Sequence, residues 1–194
     1  VRLFKQLGGM ERSLRVVRAG ELFGESALLP GAERAATAIA LDEIVALALD
    51  APAFARVLGS SPDLGPRVLA QLVRRLRDAE DRLEIFMLGD AQAKVVVALL
   101  KLAQHELQAE GRPEGQAWLT LSPLELSAQV GLDVDSVKRI VGGLRDSGYL
   151  RIHDERVEIR DVPALRELSG LLGVKDQLRG GLRRDANRQH TGGR

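Results

Sequence analysis

Two clusters in this chain combine residue types and spacings that could do binding chemistry. The first is Asp135, Lys138 and Arg139. On a helix, Asp135 and Arg139 stand one above the other at i and i+4. Arginine can give guanine a bidentate pair, and an acid can accept from cytosine N4. The plain alternative is an exposed ion pair worth about 0.3–0.5 kcal/mol. The second cluster is Gly24-Glu25, followed by Arg34-Ala35-Ala36. A glycine turn and the first amides of a short helix make an anion cradle. Arg34 would add a charge-assisted fork for phosphate, and Glu25 would accept from a sugar hydroxyl. Here the plain alternative is an internal Glu25–Arg34 salt bridge. Other chemistry lacks its residues. There is no cysteine, so disulfides, thiolate metal sites and a thiol nucleophile are excluded. His105, His153 and His190 lie far apart, with no metal-ligand spacing. An enzyme would have neither a nucleophile–base set nor a metal site.

The first cluster needs a helix, and the local sequence supplies one. Ser122-Pro123-Leu124-Glu125 is a capping box with proline at the first helical position. That helix runs to about Val130. Gly131-Leu132 makes a tight turn, and Asp133 caps a second helix from Val134 to Asp146. Two helices joined by a glycine turn form a helix-turn-helix. Val137, Ile140, Val141 and Leu144 make the buried stripe of the second helix, so Asp135, Lys138, Arg139 and Gly142 face away. Gly142-Gly143 costs about 1 kcal/mol per residue against alanine, which suggests close approach to a DNA backbone or to neighbouring protein. Tyr149–His153 and Arg156–Ile159 then form a hairpin, the wing of a winged helix. Asp161 caps a closing helix carrying Leu165, Leu168 and Leu172.

Upstream, residues 1–50 read as β. Val1–Gln6 pairs with Ser13–Arg18 around Gly8-Gly9, and Thr37–Ala40 with Ile44–Leu49 around Asp42-Glu43. From Pro66 to Phe86 the apolar residues are Leu69, Leu72, Leu76, Ala79, Leu83 and Phe86. This alternation of three and four is the seam of a coiled coil, so a partner helix and a homodimer are expected. Asp90 caps another helix to about Glu110, whose apolar face is Val95, Val96, Leu99, Leu100, Leu102 and Ala103. GRPEGQ at 111–116 is a loop.

Composition agrees with this plan. The chain has 194 residues, 45% hydrophobic and 28% charged, which suits folded domains and excludes disorder throughout. Aromatics are 3%, so the cores are aliphatic. Lysine and arginine total 28 against 27 acids, so nucleic acid would be held by a few placed groups rather than a broad positive field. The basic excess sits at 174–194, a glycine-rich tail expected to be disordered. No apolar run spans a membrane. Absent cysteine and the lack of an export signal point to the cytoplasm.

GELFGESALLPGAERAATAIA resembles the phosphate-binding cassette of cyclic-nucleotide-binding domains. Strand pairs, cassette, coiled-coil helix and winged helix follow in the order of bacterial CRP/FNR regulators, and the resemblance spans residues 1 to about 172. It implies an α+β fold: a partial β-roll effector domain at 1–60, a dimerisation helix at 61–89 and a winged helix-turn-helix at 90–173. It implies a homodimeric transcription regulator acting on palindromic double-stranded DNA, with RNA polymerase as a partner. A cyclic nucleotide, cyclic AMP or cyclic GMP, is the implied effector. Glu25 would hold the ribose and Arg34 the cyclic phosphate, with Gly24 as the turn and Ala35 lining the phosphate end. Val134, Asp135, Ser136, Lys138 and Arg139 would face DNA. Val134 stands where the family has its first recognition-helix arginine, and Ala79-Glu80 where the cyclic AMP receptor reads adenine. Val1 falls partway through the family's barrel, so the start is either a non-standard codon or lies downstream of missing residues. The alternative function is a cyclic-nucleotide-binding regulatory or interaction protein that does not bind DNA.

Overall fold

The computed structural model describes residues 1–29, 31–110, 115–154 and 156–173. The expected tail at 174–194 lies outside these residues, as do 111–114 of the expected loop. The chain divides into two compact units, Val1–Asp81 and Arg82–Arg194.

In the first unit, β1 (Arg2–Leu7) and β2 (Met10–Val16) pair antiparallel, with Leu7 opposite Met10. Gly8 and Gly9 close the hairpin with φ of 59° and 78°. A two-residue turn with both φ positive matches the strand twist, and glycine takes it without strain. β3 (Thr37–Ile39) adds to the other edge of β1, giving the order β2-β1-β3. Phe4 and Val17 are the deeply buried apolar side chains among the described residues of this unit.

The expected strand at Ile44–Leu49 does not form. The segment joins no ladder, and Val45 and Leu47 stand in solvent. Alternation becomes a strand only where a neighbour accepts its backbone groups. The sheet ends at β3, and the segment does not reach the open outer edge of that strand, its expected partner. A helix with no counterpart in the sequence expectations follows instead, α1 (Ala51–Ser60). Asp50 caps it by accepting from the Ala53 amide at 2.7 Å, and Pro52 lies in its first turn. The next helix, α2 (Leu64–Met87), covers the heptad run and continues across the unit boundary. Leu69, Leu76 and Leu83 are 62%, 60% and 64% exposed, and Leu72 is also exposed.

The second unit is built on α3 (Ala91–Glu110). Asp90 accepts from the Ala93 amide at 2.9 Å. Val95, Val96, Ala98, Leu99 and Ala103 are fully buried. At roughly 1.5–3 kcal/mol for a fully buried large aliphatic side chain, this helix anchors the core. β4 (Ala117–Thr120), β5 (Leu150–His153) and β6 (Arg156–Ile159) form an antiparallel sheet ordered β4-β6-β5. α4 (Pro123–Val130) and α5 (Val134–Asp146) lie between β4 and β5 in sequence. The closing helix α6 spans 162–173. Asp161 caps it through the Ala164 amide at 2.9 Å, and Val162 and Leu165 are fully buried.

Candidate nucleic-acid interface and effector cassette

Both reciprocal bonds of the capping box at the start of α4 are present. The Glu125 amide donates to Ser122 Oγ at 3.2 Å, and the Ser122 amide donates to Glu125 Oε2 at 2.8 Å. Gly131 ends α4 in the left-handed region at φ 69°, its amide donating to the Ser127 carbonyl at 2.9 Å. The Ser127 hydroxyl crosses the turn to the Leu132 carbonyl at 2.6 Å. Asp133 caps α5, accepting from the Ser136 amide at 2.8 Å. Hydrogen bonds from the Ser136 hydroxyl and amide hold the Asp133 carboxyl below its ordinary range.

α5 divides as its sequence requires. Val137 and Leu144 are each 1% exposed and seat the helix in the core. Asp135, Lys138 and Arg139 are exposed, while Val134 and Ser136 are half-buried at the leading end. The i,i+4 ion pair does not form. Arg139 Nη2 donates instead to Ser136 Oγ at 2.9 Å, one turn back. A neutral hydroxyl restrains the guanidinium without neutralising it, so its charge stays available for an acceptor. Apart from the neighbouring residues and backbone of α5 itself, nothing described lies within 4 Å of a Cβ placed on Gly142 or Gly143. Their missing side chains leave open space beside the reading face.

The wing follows. Gly148 turns the chain at φ 82°. β5 and β6 then pair with His153 opposite Arg156. Glu158, 5% exposed, faces His153 Nε2 at 3.0 Å and accepts a hydrogen bond from Gln116. The bond to His153 outweighs desolvation and, with Gln116, lowers the Glu158 pKa.

In the first unit, Gly24 adopts φ 78° and ψ 15° at the head of a short 3-10 turn, Glu25–Leu28. Arg34 Nη1 donates to the Gly24 carbonyl at 2.8 Å. A Cβ at Gly24 would collide with that guanidinium, so glycine is needed here for space as well as for φ. Glu25 does not pair with Arg34. Its Oε2 meets Arg75 Nη1 of α2 at 2.7 Å. Burial alone would raise the Glu25 pKa, but the Arg75 bond, its own amide and the charges of Arg75 and Arg15 bring it below the ordinary value. Gly24, Glu25 and Arg34 thus come together, while Ala35 is exposed beside them.

Sequence reasoning missed what holds this loop to α2. Gln71, one helical turn before Arg75, accepts from the Leu22 amide at 3.1 Å and donates to the Gly20 carbonyl at 3.2 Å. Arg15 of β2 donates to the Leu22 carbonyl at 3.4 Å and lies 3.7 Å from Glu21. Burial, then the Arg75 charge, lowers the Arg15 pKa. The available signal was the i,i+4 pair Gln71 and Arg75, which lies off the apolar seam.

A winged helix with a charged outer face on α5, in the same chain as a glycine–glutamate–arginine cassette, defines a DNA-binding regulator that carries a second, cassette-bearing domain. Comparison with known proteins gives the lineage. Residues 1–61 match the cyclic nucleotide-binding domain and residues 93–168 the Crp-like helix-turn-helix domain. The chain is 34% identical over 170 residues to a cyclic AMP receptor protein from Thermus thermophilus, covering 87% of this chain and 75% of that protein. It is 26% identical to a CRP-like cAMP-activated global transcriptional regulator from Mycobacterium tuberculosis, covering 79% of this chain and 68% of the relative. The solved structure of a CRP-family transcriptional regulator, also from Thermus thermophilus, superposes with a TM-score of 0.59 at 27% identity, covering 87% of this chain and 83% of the other. The chain belongs to the CRP/FNR family of transcription regulators. It is a sequence-specific DNA-binding regulator with a cyclic nucleotide-binding domain.

Proposed function

We propose that the chain acts as a homodimer, paired through the α2 seam, on an imperfect palindrome with one α5 in each major groove. The observation that carries this reading is the row of exposed leucines on α2, which a second copy of the same helix would bury. Two-fold symmetry in the protein requires it in the site, with half-sites about one helical turn apart. Arg139 and Asp135 read base edges, Lys138 holds phosphate, and Val134 and Ser136 line the leading end. The functional division is then an effector domain at 1–60, a dimerisation helix at 61–89, a reading domain at 90–173 and a basic tail at 174–194. RNA polymerase is the partner through which such a regulator acts, and the cytoplasm is its compartment.

The cassette takes a cyclic nucleotide, cyclic AMP or cyclic GMP, or another small phosphate. Arg34 would exchange the Gly24 carbonyl for a phosphate oxygen, a stronger charge-assisted bond. Glu25 would accept from a ribose hydroxyl while keeping Arg75. Adenine selection is poor, because Ala79 offers no hydrogen bond and ionised Glu80 only accepts.

Selection from random duplex DNA tests the main reading. The expected product is a palindrome, and enrichment of none overturns it. Calorimetry with cyclic AMP and cyclic GMP on wild type and Arg34→Leu tests the cassette. Heat in the wild type alone supports it, and no heat at millimolar nucleotide rejects it. The alternative protein that binds nucleotide but not DNA leaves the charged face of α5 without a role.

A further inference from the structure

Arg139 has two acceptors within about one turn of α5, the Asp135 carboxylate at i−4 and the Ser136 hydroxyl at i−3, and it takes the weaker one. Its Nη2 donates to Ser136 Oγ at 2.9 Å, although the carboxylate would give a charge-assisted bond. The reason lies just before the helix. Asp133, the N-cap, accepts from the Ser136 amide at 2.8 Å and also from the Ser136 hydroxyl. A serine hydroxyl has one proton to give and two lone pairs to receive with. With its proton given to Asp133, the oxygen can only accept, and Arg139 is the donor it meets. The three groups form one directed chain, from Arg139 through Ser136 to Asp133, in which each bond polarises the next. The Ser136 bonds first, and the Arg139 charge after them, favour the ionised Asp133 carboxylate that closes the chain. Val137, the residue after Ser136, is 1% exposed, so the turn that carries this chain is fixed to the core.

We infer that Asp133 and Ser136 position Arg139 for base reading: the cap residue orients the serine hydroxyl, and the hydroxyl holds the guanidinium away from Asp135. Arg139 and Asp135 then remain two separate readers, one a donor for a base acceptor edge and the other an acceptor for a base amine. Paired with each other, they would have to part before either met a base. A guanidinium already held by one bond also loses less freedom when DNA binds. Its planar fork reads two acceptors at once only at a fixed angle, so its orientation matters as much as its charge. Without the Ser136 oxygen, Asp135 is the acceptor left to Arg139 on this face of α5, and the ion pair expected from their i,i+4 spacing forms. Asp133 thus has a second task beyond capping α5. Both residues are positioning residues, because their effect on base preference passes through Arg139.

This inference rests on Arg139 reading a base, and the test separates the two. Affinities of the full-length protein are measured for the selected site and for its single-base variants. Arg139→Ala identifies the base pair that Arg139 reads, as the position where preference relaxes. At that position Ser136→Ala should lower the preference roughly fivefold, and Ser136→Thr, which keeps the hydroxyl, should restore it. Asp133→Asn keeps the helix cap and should lower the preference in the same direction. The deciding measurement places Ser136→Ala and Asp133→Asn separately in the Arg139→Ala background. There each should change the preference by less than about twofold, because the residue they position is gone. A loss of full size in that background shows that Ser136 contacts DNA directly and overturns the positioning role. An unchanged preference in Ser136→Ala, or no recovery in Ser136→Thr, overturns it equally. If Arg139→Ala relaxes no position of the site, the reading of Arg139 itself fails, and the inference falls with it.

Discussion

Leu76→Asp is the sharpest perturbation of the proposed dimer, because Leu76 is 60% exposed in the single chain and contributes little to its folding. A fully buried leucine is worth roughly 2 kcal/mol. Burying the exposed part of Leu76 in a pairing would then contribute about 1 kcal/mol per copy, or about 2 kcal/mol per dimer. Leu69, Leu72 and Leu83 are also exposed. Together the four hold about two full leucines' worth of surface per helix, or roughly 8 kcal/mol per dimer before entropy costs. Aspartate removes the Leu76 share and places two carboxylates opposite one another in an apolar seam, at an effective penalty of several kcal/mol for the pair. A total on the order of 5 kcal/mol weakens the dimer by three to four decades. Leu76→Ala, which adds no charge, should cost about 2 kcal/mol, roughly thirtyfold. Sedimentation equilibrium over micromolar concentrations reads both, alongside thermal unfolding at low concentration. A monomer of near-normal stability for Leu76→Asp is the expected outcome. A dimer constant unchanged from wild type would refute the seam.

Arg139→Ala should cost about 1–3 kcal/mol at the selected site and relax preference at one base pair. Lys138→Ala should weaken all sequences alike and lower the salt slope by about 1, read from binding isotherms at several salt concentrations. Ser122→Ala removes the cap of α4 and should cost about 1 kcal/mol in the unfolding of the second unit. Glu25, Asp133 and Glu158 all titrate below their ordinary values in the folded chain. Depressed folded-state values contribute stability above the unfolded-state values, and that contribution is lost as pH falls through the folded ones. Melting temperature should therefore decline below roughly pH 4, with a shallower decline in Glu158→Gln.

The sequence revealed most where the rules are local. The capping box at Ser122, the turn at Gly131, the cap at Asp133 and the stripe of Val137 and Leu144 each depend on neighbours within a few residues. Their structural counterparts match the reading. Ile44–Leu49 shows the limit, since its alternation suits a strand but the segment stays off the edge of β3, where the sheet ends. α1 escapes a sequence reading although Asp50 and Pro52 are ordinary start signals, because the β pattern of the preceding segment runs up to them. The cassette is half legible. Local spacing singles out Gly24, Glu25 and Arg34, but their partners depend on chain that folds back from far along the sequence. Glu25 is held by Arg75 and the loop by Gln71, both on the face of α2 away from the leucines.

A heptad pattern records which residues share a stripe, but it does not record what the stripe meets. On α2 the seam leucines meet solvent in the single chain, and Gln71 and Arg75 meet the cassette. Phe86 lies on the same stripe as the leucines and meets Gly131. The helix thus presents three different surfaces, two along the stripe and one beside it. The leucines from Leu69 to Leu83 are exposed and could meet a second copy. Gln71 and Arg75 hold the effector loop, and Phe86 in the last turn lies against Gly131. A substitution on α2 should therefore be judged by the surface it alters: Leu76 by dimerisation and Arg75 by the state of Glu25.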